Sequence, residues 1–161
     1  MSPFKAFPPA GSEAPAFTLR DATGGEHSTL AARGKWLVLY FYPKDDTPGC
    51  TIEACEFRDA ERALQDAGAI VWGVSPDDQE SKAAFRDKFS LNFPILSDLE
   101  HQVAEAYGVW GEKQMMGKSF MSTHRVTFLV NPEGRVARVW ESVTPTGHAA
   151  EVLAEITSQR G

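Results

Sequence analysis

The chain is short of three things, and each shortage removes a class of protein. It has only two cysteines, Cys50 and Cys55, among 161 residues. A chain of that length can bury about two-thirds of its unfolded surface, so it needs no covalent or metal staple. It has no apolar run approaching the ~18 residues of a membrane span. Basic residues are in the minority, 16 Lys and Arg against 22 Asp and Glu, giving a net charge of −6. Nucleic-acid binding needs clustered Lys and Arg, so that partner class is excluded. The stretch Met1 to Gly11 has one Lys, three prolines and no apolar segment, which does not fit a secretory signal. Cysteines without a stapling job or an export signal point to thiol chemistry in a cytoplasmic protein.

What is present is an ordinary globular composition, 42% hydrophobic and 24% charged. The length fits one domain over residues 1–161. Residues 1–16 hold Pro3, Pro8, Pro9 and Pro15 and read as an irregular lead-in. Phe17-Thr18-Leu19 followed by Gly24-Gly25 suggests a short N-terminal hairpin. Trp36 to Tyr42 and Ala69 to Ser75 are apolar runs too short for helices, and read as strands buried on both faces. Between them, Cys50 to Ala67 carries Phe57, Ala60 and Leu64 on one helical stripe, with Gly68 as the stop. Strand, helix, strand implies parallel pairing with a right-handed crossover.

A second helix is expected after Asp77-Asp78, with Ala84, Phe85 and Phe89 inward, and a short one from Gln102 to Tyr107. Val126 to Val130 and Val136 to Val143 flank the turn Asn131-Pro132-Glu133-Gly134 as an antiparallel pair. A last helix is expected after Thr146 as N-cap, burying Val152, Leu153 and Ile156. The expected class is α/β: a central mixed sheet with helices on both faces.

The chemistry concentrates in Pro43 to Cys55, where a buried strand runs into a helix. Active sites gather at that end of open α/β sheets. Cys50 falls in the first helical turn, where unpaired N–H groups and the dipole favour a thiolate. The bland alternative is a small buried hydrophobe. Five positions along a helix separate two Cα atoms by roughly 8.7 Å. A disulfide needs about 4.4–6.8 Å. Cys50 and Cys55 can bond only if the helix between them unwinds, which suits a redox cycle better than a permanent staple. Thioredoxin-type dithiols have two residues between their cysteines, not four. Structural zinc needs three or four ligands at short spacings, and His27, His101, His124 and His148 are scattered, so no metal is expected. A Cys–His hydrolase using His124 would leave Cys55 without a role.

Pro43, Thr47 and Cys50, as Pro-x3-Thr-x2-Cys, resemble the peroxiredoxin active-site signature. The run Thr47-Pro48-Gly49-Cys50-Thr51-Ile52-Glu53-Ala54-Cys55 is similar to the peroxiredoxin Q branch, also called bacterioferritin comigratory protein. The likeness extends through Gly73-Val74-Ser75, Phe93-Pro94, Ser97-Asp98, Tyr107-Gly108-Val109 and Arg125-x-Thr127-Phe128. His124 and Val126 depart from it, since the family more often has Glu and Ser beside the Arg. The resemblance implies a thioredoxin-like fold and a cofactor-free thiol peroxidase acting on hydrogen peroxide and organic hydroperoxides. Cys50 would be the peroxidatic cysteine and Cys55 the resolving one, joined in an intramolecular disulfide that a thioredoxin-type donor reduces. The branch is often monomeric.

A lowered thiol pKa gains thiolate but loses nucleophilicity, so the net gain is only a few fold. Donors aimed at the peroxide oxygens must supply more. Arg125, the Thr47 hydroxyl and the backbone N–H groups of Gly49 and Cys50 are the candidates, with Pro43 shielding the thiolate. Each has a plainer reading. Thr47 could be a turn residue, Arg125 a surface charge, Pro43 a strand end and Cys55 an inert helix cysteine. Glu53 could brace the loop or Arg125, but a first-turn Glu reads more plainly as dipole complementation, and His124 reads as a strand-edge polar residue. The stretch Gly111 to Ser119, with Met115-Met116, reads as flexible, and its methionines fit a substrate or partner surface or packing equally.

Overall fold

The computed structural model describes residues 7–160. The first six positions of the lead-in, with Pro3, lie outside them. Central to the fold is β3 (Trp36–Phe41), whose alternate side chains enter two different cores. Leu37, Leu39 and Phe41 face one core, while Val38, Tyr40 and the following Tyr42 face the other. That is the period-two geometry of a strand covered on both sides. It pairs in parallel with β4 (Ala69–Ser75), which in turn pairs in parallel with β5 (Ile95–Ser97).

The N-terminal hairpin forms from β1 (Thr18–Arg20) and β2 (Glu26–Ser28), and β1 closes antiparallel on β5. On the other flank, β8 (Val126–Val130) runs antiparallel to β3 and pairs with β9 (Val136–Trp140). The seven-stranded order is β2-β1-β5-β4-β3-β8-β9, a mixed sheet as expected. Helices α1 (Pro48–Asp66), α2 (Gln79–Phe89) and α4 (His148–Arg160) contribute to the core around Tyr40 and Phe57. The short α3 (Gln102–Ala106) contributes Val103 and Ala104 to the opposite core.

α1 buries Cys50, Glu53, Ala54, Phe57 and Leu64, a stripe at spacings of three, four and seven. It ends at Gly68, whose φ of +82° suits glycine.

Three expectations need correction. Ala84 is exposed, and Lys82 takes the inward place with Phe85. Positions 82, 85 and 89 share a face at helical spacing, whereas 84 lies about 100° from 85. The cap of α4 is Gly147, not Thr146: its carbonyl accepts from the Glu151 N–H at 3.2 Å. Residues 111–119 are a regular hairpin, β6 (Trp110–Met115) with β7 (Lys118–Thr123), joined by Met116-Gly117. Both turn residues have positive φ, +54° and +78°, as a tight two-residue hairpin turn requires. The usual Asn-Gly signal is replaced by Met-Gly, which hid the turn.

Candidate functional site

The loop from Tyr42 to Thr47 carries the chain from β3 into α1. Thr47 holds the N-cap position in an extended conformation, and Pro48 follows inside the first turn. The Thr47 hydroxyl does not cap the helix; it donates to the Lys44 carbonyl at 2.9 Å. The first bond of the helix runs from the Thr51 N–H to the Thr47 carbonyl at 2.8 Å. The amides of Gly49 and Cys50 precede that bond and point out of the helix start.

Cys50 is 1% exposed at this end of α1. Sheet topology brings Arg125 to it across 75 positions of sequence. β8 pairs with β3 so that Val126 faces Phe41, which puts Arg125 just beyond the end of β3. Its Nη2 donates to Cys50 Sγ at 3.1 Å, and its Nη1 donates to Glu53 Oε1 at 2.7 Å. The guanidinium fork thus bridges two side chains one helical turn apart, a geometry lysine could not reproduce. Arg125 is no stray surface charge.

Glu53 lies in the second turn of α1 and not the first, so complementation of the helix dipole does not describe it. Its side chain is fully buried, and Oε2 has no hydrogen-bond partner among the described residues. Burial pushes its carboxyl up to about 7, against the opposing pull of Arg125. Burial also works against the charge on Arg125, but Glu53 and the Cys50 sulfur outweigh it and hold the guanidinium above its ordinary value.

Cys50 and Cys55 are both free, and α1 runs unbroken through them. Cys55 is partly exposed. In this form the helix holds the two residues beyond bonding distance.

A cleft of about 430 Å³ reaches Arg125, the partner of Cys50, while Cys50 itself is not on its wall. Pro43, Thr47 and Arg125 form part of its wall. The β6–β7 hairpin supplies the facing wall with Trp110, Met115, Phe120 and Met121. The sequence raises a substrate or partner surface at Met115-Met116, of which Met115 lies on this wall, but it does not show the hairpin that carries it. Met116 sits at the tip, 95% exposed and not on the wall. His124 sits at the end of β7, with Nε2 3.1 Å from the Glu112 carbonyl. Among the described residues no group of three His, Cys, Asp or Glu side chains could hold a metal, and no helix is long and apolar enough to cross a membrane.

Comparison with known proteins adds to this geometry. The sequence profile of the AhpC/TSA family matches residues 10–139. Peroxiredoxin Bcp of Bacillus subtilis is 45% identical over 143 residues, 89% of this chain and 91% of that protein. Peroxiredoxin Bcp of Escherichia coli K12 is 42% identical over 153 residues, 95% of this chain and 96% of that protein. Among solved structures, the bacterioferritin comigratory protein of Xanthomonas campestris superposes with a TM-score of 0.88 at 38% identity. The match covers 95% of this chain and 100% of that one, and those structures concern alkyl peroxide reduction by that protein. A peroxiredoxin Q mutant from Xylella fastidiosa superposes with a TM-score of 0.92 at 31% identity, over 98% and 100% of the two chains.

Proposed function

This chain belongs to the AhpC/TSA family, in its Bcp and peroxiredoxin Q branch, and on that premise we propose that Cys50 is the attacking thiol and Cys55 the resolving one. The protein is a thiol peroxidase, acting on peroxide with a thiol reductant. The observation that carries the assignment is the 3.1 Å contact between Arg125 Nη2 and Cys50 Sγ at the start of α1. A thiolate there meets a fixed cation and two free amides, and Arg125 links it to the cleft wall.

The reaction balances as follows. The Cys50 thiolate attacks one oxygen of ROOH, the O–O bond breaks, and the alkoxide leaves with a proton as ROH. Cys50 is left as a sulfenic acid, two electrons more oxidised. Arg125 and the amides of Gly49 and Cys50 stabilise charge moving onto the leaving oxygen. The Thr47 proton is committed to Lys44, so the Thr47 oxygen is available to accept a hydrogen bond from the peroxide hydroxyl. Pro43 narrows the approach of water. Once α1 unwinds between the two cysteines, the Cys55 thiolate attacks the Cys50 sulfur, the S–O bond breaks, and hydroxide leaves as water with the proton that the Cys55 thiol gave up, forming the disulfide. A dithiol donor of the thioredoxin type restores both thiols by exchange.

The apolar wall at Trp110, Met115 and Phe120 supports organic hydroperoxides as substrates alongside hydrogen peroxide. Resolution within one chain supports a monomer, a single thioredoxin-like domain over residues 1–161, working in a reducing cytoplasm. The test is peroxide consumption driven by thioredoxin and its reductase. Wild type should turn over, Cys50→Ser should be inactive, and Cys55→Ser should complete one oxidation and stall. Equal loss of that first oxidation in both variants would overturn the assignment of roles.

A further inference from the structure

Lys82 lies on α2, yet its side chain is fully buried. Its ammonium donates to the Tyr42 hydroxyl oxygen at 2.8 Å, to Asp45 Oδ1 at 2.9 Å, and to Ser75 Oγ. All three of its protons are thereby used. The Tyr42 hydroxyl donates to the same Asp45 oxygen at 2.5 Å. The second Asp45 oxygen accepts from Ser81 Oγ at 2.8 Å, and the Asp45 N–H donates to Asp77 Oδ2, also at 2.8 Å. Ser75 Oγ passes its own proton to Asp77 Oδ2 at 2.6 Å.

The residues gripped are not incidental. Tyr42 and Asp45 flank Pro43, and Asp45 stands two positions before Thr47. Between Asp45 and Thr47, Asp46 takes a left-handed φ of +59° and pairs with Lys88 of α2 at 2.8 Å. A non-glycine residue in that region persists only where its surroundings over-determine it. The course of the loop is therefore imposed from α2. No step proposed above needs Lys82. A buried ion pair can often be replaced by apolar residues without loss of stability, so stability alone is a weak reason to keep one.

We propose that Lys82 is a positioning residue: from α2 it fixes the Tyr42–Thr47 loop so that Thr47 and the first-turn amides of α1 stay aimed at a peroxide beside Cys50. This rests on Cys50 being the attacking thiol. The anchor ends before Pro48, so unwinding between Cys50 and Cys55 pivots beyond it. Loss of the anchor slows the attack on peroxide and leaves disulfide formation intact.

The experiment follows both steps separately in the reduced full chain, by stopped-flow fluorescence with acid-quench mass analysis. Lys82→Met with Asp45→Leu removes the central ion pair; Asp77, 4.0 Å from Lys82 Nζ, loses that cation and keeps the Ser75 hydroxyl and the backbone N–H of position 45 as donors. The double variant should melt cooperatively, react with hydrogen peroxide about 10–100-fold more slowly, and form the disulfide within about twofold of the wild-type rate. Tyr42→Phe deletes one hydroxyl, keeps the fold, and should slow the same step about threefold. Either variant, folded and oxidised at the wild-type rate, overturns the proposal. So does equal slowing of the two steps, which a merely structural role would produce. A wild type that consumes no peroxide, or a Cys50→Ser that still does, would instead overturn the reading of the site.

Discussion

Gly49→Ala should separate the rate of this protein from its stability. The substitution falls inside α1, where alanine exceeds glycine in helix propensity by up to about 1 kcal/mol. Its Cβ would lie 3.1 Å from Arg125 Nη2 and 3.6 Å from Pro145 Cγ. The first approach is too tight, so the guanidinium must give by a few tenths of an ångström. It is not free to withdraw as a whole, because Nη1 is held by Glu53 at 2.7 Å. The fork pivots about that bond, and the Nη2–Sγ contact lengthens from 3.1 Å by a few tenths of an ångström, which weakens it without breaking it. Hydrogen bonds to charged groups contribute about 1.5–3 kcal/mol, and losing about half of one is about 1 kcal/mol. Placed on the transition state, that is about a fivefold slower second-order oxidation of Cys50. Stopped-flow oxidation and thermal melts on the same preparations read the two effects. The expected pair is a slower reaction at an equal or higher melting temperature. An unchanged rate would refute the steric argument, and a rate loss that merely follows a lowered melting temperature would refute the idea that Gly49 acts through Arg125.

Three further outcomes are expected. Gly73→Ala places a Cβ 2.7 Å from Tyr40 Cζ, and Tyr40 is pinned against Phe57 with ring centroids 4.8 Å apart; denaturant titration should show a loss of at least about 1–3 kcal/mol. Glu53 has a folded-state pKa of about 7 against an ordinary 4.5, so the folded state holds its proton more tightly, and stability from this group is present below 4.5 and lost as pH rises through 7. Glu53→Gln should remove that slope, about 3 kcal/mol between pH 4.5 and 7 by the pKa difference, and identical pH profiles for variant and wild type would count against a buried, proton-holding Glu53. Oxidation by one equivalent of peroxide should lower the helical far-UV signal by about one and a half turns, the length from Cys50 to Cys55, and Cys55→Ser should show no such change.

Much of the architecture was legible because local and tertiary preferences agree. β3 and β4 are continuous apolar runs that only a strand covered on both faces can bury, and both formed where expected. α1 was marked by its stripe and its glycine stop. The β6–β7 hairpin was not legible, since both of its faces mix polar and apolar residues and its turn lacks Asn-Gly. Ala84 was misplaced because an apolar residue was preferred over a lysine at the inward position. Helical spacing alone would have chosen Lys82, and only a set of buried partners makes that placement tolerable.

By itself the sequence determined the spacing of its two cysteines and the constraint that follows from it. Cys50 and Cys55 lie five positions apart on one helix, and helix geometry forbids their bond until that helix opens, whatever surrounds it. Tertiary structure alone decided what surrounds the thiol. Arg125 reaches Cys50 because β8 pairs with β3, Glu53 is a buried partner because that same arginine faces it, and the cleft exists because a distant hairpin stands opposite Thr47. Spacing along one helix is a local property that sequence carries. Juxtaposition across 75 positions depends on which strands pair, and that is settled by burial of the whole sheet, not by any motif.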